Sequence, residues 1–247
     1  MRVGWIATCA LAVIGGFLLV LRVCWLLHVE PSWLPYVAHV IGAVLAGLAI
    51  GRQGPLRSHA EPIVGGMLGV GILAVTAFAP PHAFGWIVAR TAQPWLVGAI
   101  VAVASGLAAA GGAWLAHPGR TRGDLPSIIL LSTLVTTCVM MLGGRLAVVT
   151  FGLSTTTMWV LTIGGVACGL AAFATQAIVA DEHLSACASG FAALCAIQLL
   201  ELVTKAHESI TLAIVFTLVV PYLPALVGAR LAWRLKPRAS EPHGAFD

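Results

Sequence analysis

Six polar side chains lie within or at the ends of apolar stretches of this chain, and they are its candidates for chemistry. They are Arg22, His39, Arg145, Gln198, Glu201 and Lys205. A charged side chain at the centre of a membrane helix costs on the order of 2.5–3.5 kcal/mol in insertion measurements, and such residues commonly mark substrate or ion paths. We therefore interpret the six residues as a hypothetical substrate or ion path.

Arg22 has the most unusual position of the six, because it falls near the end of a long apolar run. At 1.5 Å per residue its Cα lies about 9 Å from the end of that run, which an arginine side chain can cover by snorkelling. Two interpretations therefore stay open. Arg22 is either a structural arginine that reaches the interface or one half of a buried ion pair lining a path. Glu201, which we expect at a similar depth, is the predicted counter-charge.

A second polar group recurs with helical spacing. Gln198, Glu201, Lys205 and Glu208 stand at i, i+3, i+7 and i+10, which places them on one helix face. Glu201 and Lys205 also have the favourable i, i+4 order for an ion pair. The pattern fits either a local pair at a helix end or a polar stripe that faces a water-filled cleft.

Several enzyme classes lack their sequence signatures here. The chain contains no H-E-x-x-H, no P-loop, no G-x-G-x-x-G and no complete G-x-S-x-G. Its eight histidines are scattered, and none of its six cysteines forms a C-x-x-C pair, so we expect the cysteines to act as small buried hydrophobes. We predict no catalytic residue, no metal site and no cofactor.

The composition identifies the surroundings of these residues. Of 247 residues, 60% are hydrophobic and 9% are charged, against about 25% charged in ordinary soluble proteins. So few charges cannot cover a surface that faces water, whereas a bilayer accepts an apolar surface whose backbone is bonded internally. The basic residues are dispersed, with no basic stripe, so the net charge of +4 does not indicate nucleic-acid binding.

Apolar runs of about 20 residues, the length that crosses a bilayer core, predict about eight membrane-spanning helices. Prolines and glycines mark most of the boundaries between them. The predicted spans cover residues 3–27, 33–51, 62–80, 95–117, 126–150, 155–180, 183–204 and 209–233. We expect residues 1–235 to form one transmembrane domain and residues 236–247 a short polar tail.

The basic residues predict how the spans are oriented. When alternate ends are counted from the N-terminus, nine basic residues share its side and three fall on the other side. This excess favours cytoplasmic N- and C-termini and an even number of spans. The three on the outer side are Arg90, Arg145 and Lys205, and all six candidate residues then lie in the outer half of the bundle or at its outer end.

Pairs of glycines four residues apart predict close contacts between the spans. Such spacing lets helix backbones approach one another in lipid. The pairs are Gly47 with Gly51, Gly65 with Gly69, and Gly165 with Gly169.

The glycine-rich, basic stretch 42–57 (GAVLAGLAIGRQGPLR) resembles the loop between helices two and three of the major facilitator superfamily. It is most similar to the membrane portion of bacterial proteins that fuse such helices to a spermidine-synthase-like domain, and the run 189–194 (SGFAAL) is similar to a helix opening in them. The runs that start at Gly16 and Gly190 lie six spans apart, and six helices are the repeat of that fold. The chain differs in lacking the acidic residue of the loop and in having eight predicted spans instead of twelve.

Together these patterns predict an all-α polytopic bundle in a membrane, expected to be the bacterial cytoplasmic membrane. The leading functional hypothesis is a transporter-like or transport-accessory protein with a polar cleft in the outer half of the bundle. A structural or assembly subunit of a larger membrane complex is the alternative. A membrane enzyme acting on a lipid, with His39 or Glu201 as base, has the least support. The expected partners are the lipid bilayer and other membrane subunits or further copies of the chain.

Overall fold

A computed structural model describes residues 3–28, 33–53, 60–78, 94–116, 125–139, 169–170, 172–176 and 220–235. Within these ranges the chain is helical and contains no strand. Six helices have defined bounds: α1 (Val3–Leu26), α2 (Leu34–Gln53), α3 (Ala60–Phe78), α4 (Pro94–Ala116), α5 (Leu125–Cys138) and α6 (Val220–Leu235). Residues 169–170 and 172–176 are also helical.

The helix ends are set by residues that suit them. Pro94 opens α4, and Pro62 and Pro126 stand in the first turns of α3 and α5, where a missing amide hydrogen costs nothing. At the end of α1, His28 adopts a left-handed conformation with φ of 56°. Histidine is one of the few residues besides glycine that is enriched there.

Three of these helices are long and apolar enough to cross a membrane, over Val3–Cys24, Leu34–Gln53 and Trp95–Ala116. Two shorter apolar helices cover Ala60–Val75 and Pro126–Cys138. These properties identify the chain as a membrane protein. The predicted spans 1–4 match α1–α4 to within a few residues, and the described parts of spans five, six and eight are helical. Span seven lies outside the described residues.

Contacts between glycines and neighbouring backbones give the helix directions. Gly16 of α1 lies against Gly42 of α2, and Phe17 stacks on His39, so these two helices are antiparallel. Helices α2 and α4 run parallel, because Gly47 meets Ala109 and Gly51 meets Ala113. In the same way α1 and α3 are parallel, since Gly65 meets Cys9 and Gly69 meets Ala10.

Helix α5 joins this arrangement through α1 and α2. Gly15 lies against the carbonyl oxygen of Leu134, and the end of α2 is bonded to the start of α5 through Gln53 and Ser127. The starts of α1, α3 and α5 and the ends of α2 and α4 therefore share one end of the bundle, which we call the first face. The opposite end is the second face.

Two of the predicted glycine pairs are confirmed. An added Cβ on Gly47, Gly51, Gly65 or Gly69 would crowd an atom of a neighbouring helix. From the third pair, Gly169 meets Pro224 and Gly228 of α6, whereas Gly165 lies outside the described residues.

The interior consists of two apolar clusters. The larger one joins α1, α2, α4 and α5. The smaller one, which we call the upper cluster, continues toward the second face and is formed by Ile14, Phe17, Leu18, Ala38, Leu73 and Cys138.

Candidate functional site

Two of the predicted site residues, His39 and Arg22, lie in or just beyond the upper cluster. It brings together α1, α2, α3 and α5, and every member is almost completely buried. Branched and aromatic side chains at this level pack the four helices around one apolar centre. Polar groups that stand in or just beyond this cluster are therefore held in fixed surroundings.

His39 stands in the α2 wall of the upper cluster, next to Ala38. It is only 5% exposed, and its ring stacks on that of Phe17 with centroids 3.8 Å apart and an interplanar angle of 29°. Its Nδ1 lies 2.7 Å from the carbonyl oxygen of Pro35. His39 therefore lies in the interior of the described helices.

The contact with Pro35 fixes the chemistry of the ring. A carbonyl oxygen can only accept a hydrogen bond, so Nδ1 of His39 must carry the proton and donate it. In the neutral ring, Nε2 then bears the lone pair and can accept a hydrogen bond or a proton. The helix thus presents one basic nitrogen at a defined position within apolar surroundings.

Arg22 is placed toward the interior of the bundle by its position on α1. Ile14 and Leu18 are buried in the upper cluster, and Arg22 continues the same i, i+4, i+8 stripe one turn farther toward the second face. Its side chain is half-buried. At the level of the upper cluster this face of α1 packs against α2, α3 and α5.

The two residues lie at neighbouring levels of the same helix pair. Phe17 marks the level of the His39 ring, and Arg22 follows Phe17 by five residues, which is about 7.5 Å along the helix axis. The Cα of Arg22 is therefore nearer the second face than the ring of His39 is.

The other four predicted site residues, Arg145, Gln198, Glu201 and Lys205, lie outside the described residues, and so does the proposed pairing of Arg22 with Glu201. Among the described residues there is no group of three or more His, Cys, Asp or Glu side chains that could hold a metal ion.

Three buried polar residues at the first face were not among the predicted site residues, namely Gln53, Glu61 and Ser127. Gln53, only 7% exposed, donates a hydrogen bond from Nε2 to Oγ of buried Ser127. Glu61, in the first turn of α3, is 4% exposed. In the sequence, each of these residues adjoins a helix end, where polar residues normally reach water. Their burial depends on packing between helices, which no local sequence pattern reveals.

Comparison of the chain with protein-family models, curated proteins and solved structures gave no match.

Proposed function

We propose that this chain is a multi-pass membrane protein of the transporter or transport-accessory type, with a substrate or ion path that opens at the second face. In this proposal the second face is the outer side of a bacterial cytoplasmic membrane and the first face is cytoplasmic. The bundle has about eight spans with both termini inside. The excess of basic residues on the N-terminal side supports this orientation.

The observation that carries the proposal is the buried imidazole of His39. The ring of His39 is buried in an apolar bundle, and its Nδ1 donates a hydrogen bond to the carbonyl oxygen of Pro35. Ionisable residues in membrane interiors most often serve a path or a relay, so we assign His39 to the path.

Arg22 supplies a positive charge that can attract an anionic solute. Its guanidinium group is always protonated and offers several donors in one plane, which suits carboxylate or phosphate groups. At the entrance to the path it would favour anionic solutes, and a solute or a proton that broke its predicted pair with Glu201 would change the state of the site. We therefore expect an anion, or a proton coupled to one, to bind between the levels of Arg22 and His39.

The experiment uses the full-length protein in lipid nanodiscs and a panel of probes: acetate, succinate, citrate, inorganic phosphate and glutamate. Binding is measured as a rise in melting temperature, followed by charge movement in proteoliposomes for any probe that binds. We expect binding by the wild type, a loss of at least tenfold in affinity for Arg22→Gln, and reduced charge movement for His39→Phe. Arg230→Gln, which removes an exposed arginine of α6, is the control. Wild-type behaviour of both site variants would exclude this assignment.

A second function, that of a subunit in a membrane assembly, is favoured by the outer surface of α4. Exposed apolar side chains cover it, including Ile100, Val103 and Leu107, and an added Cβ at Gly98 or Gly111 would meet no atom within 4 Å. Such a surface accepts another helix as readily as lipid. Native mass spectrometry of the gently extracted protein separates the two: stoichiometric partner chains favour the subunit, and a single chain with anion binding favours the transporter.

A further inference from the structure

The seam between α2 and α4 ends at the first face beside an exposed arginine. Gly51 of α2 lies against Ala113 and Ala116 of α4, so the last turns of these two parallel helices adjoin. Arg52 is the next residue of α2 and is exposed in its last turn. Because a guanidinium group is always protonated, Arg52 holds a positive charge beside the end of α4.

Arg52 belongs to the face of α2 that borders this seam. Val44, Leu48 and Arg52 follow one another at i, i+4 and i+8, so they lie along one face of the helix. Gly112 of α4 packs against the backbone of Val44 and Leu48. Arg52 therefore stands one turn beyond the last of these contacts, at the first-face end of the seam.

Helix α4 contributes an apolar notch to the surface beside the same seam. Leu107, Gly111 and Leu115 also follow one another at i, i+4 and i+8, and both leucines are exposed. An added Cβ on Gly111 would meet no atom within 4 Å. The surface therefore has a gap between two exposed leucines, directly before Gly112, which packs against α2. A hydrocarbon chain that filled this gap would gain van der Waals contacts.

The charge and the notch lie at the depths that the two parts of a phospholipid require. Since Gly51 meets Ala113 in parallel helices, Arg52 is level with Trp114. Trp114 is exposed, and tryptophan prefers the level of the lipid headgroups. Gly111 is three residues deeper, which is about 4.5 Å along the helix axis. A headgroup bound at Arg52 would therefore place the start of its acyl chains beside Gly111.

The two connections at this end of the seam add further positive charge. One joins α2 to α3 and the other joins α4 to α5, and both start beside Arg52 at the first face. Together they contain three arginines and one acidic residue, namely Arg57, Arg120, Arg122 and Asp124. Clusters of basic residues next to membrane helices attract anionic lipids. The charge of this region is therefore complementary to an anionic headgroup.

We propose that the first-face end of the α2–α4 seam binds one anionic phospholipid, with its phosphate on Arg52 and an acyl chain in the notch at Gly111. A guanidinium group can donate two parallel hydrogen bonds to a phosphate. A zwitterionic lipid fits the notch equally well but brings a cation to a basic surface, so the site selects the anionic lipid. The site lies at the opposite face from Arg22 and does not depend on the proposed transport function.

The test uses the full-length protein in phosphatidylcholine nanodiscs that contain a trace of phosphatidylglycerol with a photoreactive diazirine in one acyl chain. After irradiation, peptide mass spectrometry identifies the labelled residues. We expect labelling of α4 near Gly111, which unlabelled phosphatidylglycerol displaces and which neither added phosphatidylcholine nor dissolved glycerol phosphate displaces. Arg52→Gln should weaken the displacement about fivefold, the effect of losing one basic residue near the headgroups. Arg52→Lys keeps the charge and should retain most of the displacement.

Matched variants separate this site from general contact with lipid. Arg234→Gln removes an exposed arginine from the last turn of α6 and should leave the displacement unchanged. Gly111→Leu fills the notch and should lower labelling of α4 about fourfold, the effect of excluding roughly one methylene group from it. Gly98→Leu, at another open glycine of the same helix, should leave labelling near residue 111 unchanged.

Three results would overturn the lipid site. The first is equal displacement by phosphatidylcholine, which would mean that α4 contacts only the surrounding bilayer. The second is wild-type labelling and displacement in both Arg52→Gln and Gly111→Leu. The third is an unlabelled α4 together with a stable dimer in native mass spectrometry, which would show that a second copy of the chain covers this surface.

Discussion

At the scale of single residues, His39 combines two roles that substitutions can separate. Its ring fills space against Phe17, and its Nε2 is available for hydrogen bonding or proton transfer. The carbonyl oxygen of Pro35 also accepts the amide hydrogen of residue 39 within α2, so it keeps a partner when the imidazole is removed. Packing and chemistry at this position therefore depend on different atoms of one side chain.

A pair of substitutions tests this separation. His39→Ala leaves a cavity beside Phe17, and we expect it to lower the free energy of unfolding by about 2–4 kcal/mol. His39→Phe keeps a stacked ring and loses only the side-chain hydrogen bond, so a change within about 1.5 kcal/mol is expected. Reversible unfolding in mixed micelles measures both. Equal destabilisation by the two variants would show that the imidazole nitrogens are themselves structural, which would weaken the assignment of His39 to a path.

At the scale of helices, the close contacts of glycine determine which elements pack together. Gly47 lies so near Ala109 that even a methyl group would crowd the carbonyl oxygen, whereas Gly111 on the neighbouring helix has open space around it. Replacing either glycine with alanine adds one methyl group, at a crowded position in Gly47 and at an open one in Gly111. They allow the contribution of backbone contact to be separated from that of helix propensity.

We expect Gly47→Ala to destabilise the bundle by about 1–3 kcal/mol, the usual cost of overpacking a tight contact. Gly111→Ala should leave stability unchanged or raise it slightly, because alanine favours helix by up to about 1 kcal/mol over glycine. Melting temperatures of the two variants in the same detergent provide the measurement. Destabilisation by Gly111→Ala of the same size would indicate that another chain covers this surface of α4, in support of the subunit function.

The positions of the helices could be predicted from the sequence, but which helices pack against one another could not. The first helix was expected at residues 3–27 and spans Val3–Leu26, because a long apolar run bounded by polar residues specifies a span by its length alone. The glycine pairs showed which faces would be in close contact. That Gly15 meets Leu134, or that Gln53 meets Ser127, depends on contacts across more than 70 positions of the sequence. A periodicity within one helix does not encode them.

At the scale of the whole molecule, exposed tryptophans indicate how deeply the bundle sits in a bilayer. Trp95 is 73% exposed at one end of α4 and Trp114 is 63% exposed near the other. Nineteen residues of helix separate them, or about 28 Å, close to the roughly 30 Å of a bilayer core. Tryptophan prefers the two interfaces of a membrane, so α4 alone marks the levels of both faces, and the lipid-facing surface between them is apolar.

The orientation across the membrane is the remaining prediction at this scale. Both termini should lie in the cytoplasm, because nine basic residues share the N-terminal side and three do not. Green fluorescent protein fused after Asp247 should therefore fluoresce, and alkaline phosphatase fused there should be inactive. The same pair of reporters inserted between α2 and α3 should behave like the C-terminal fusions, since α2 ends and α3 begins at the first face. Reporters placed between α3 and α4 should give the reverse result, because that connection joins the two helices at the second face. Phosphatase activity at Asp247 together with fluorescence between α2 and α3 would mean an odd number of spans and would place the C-terminus outside.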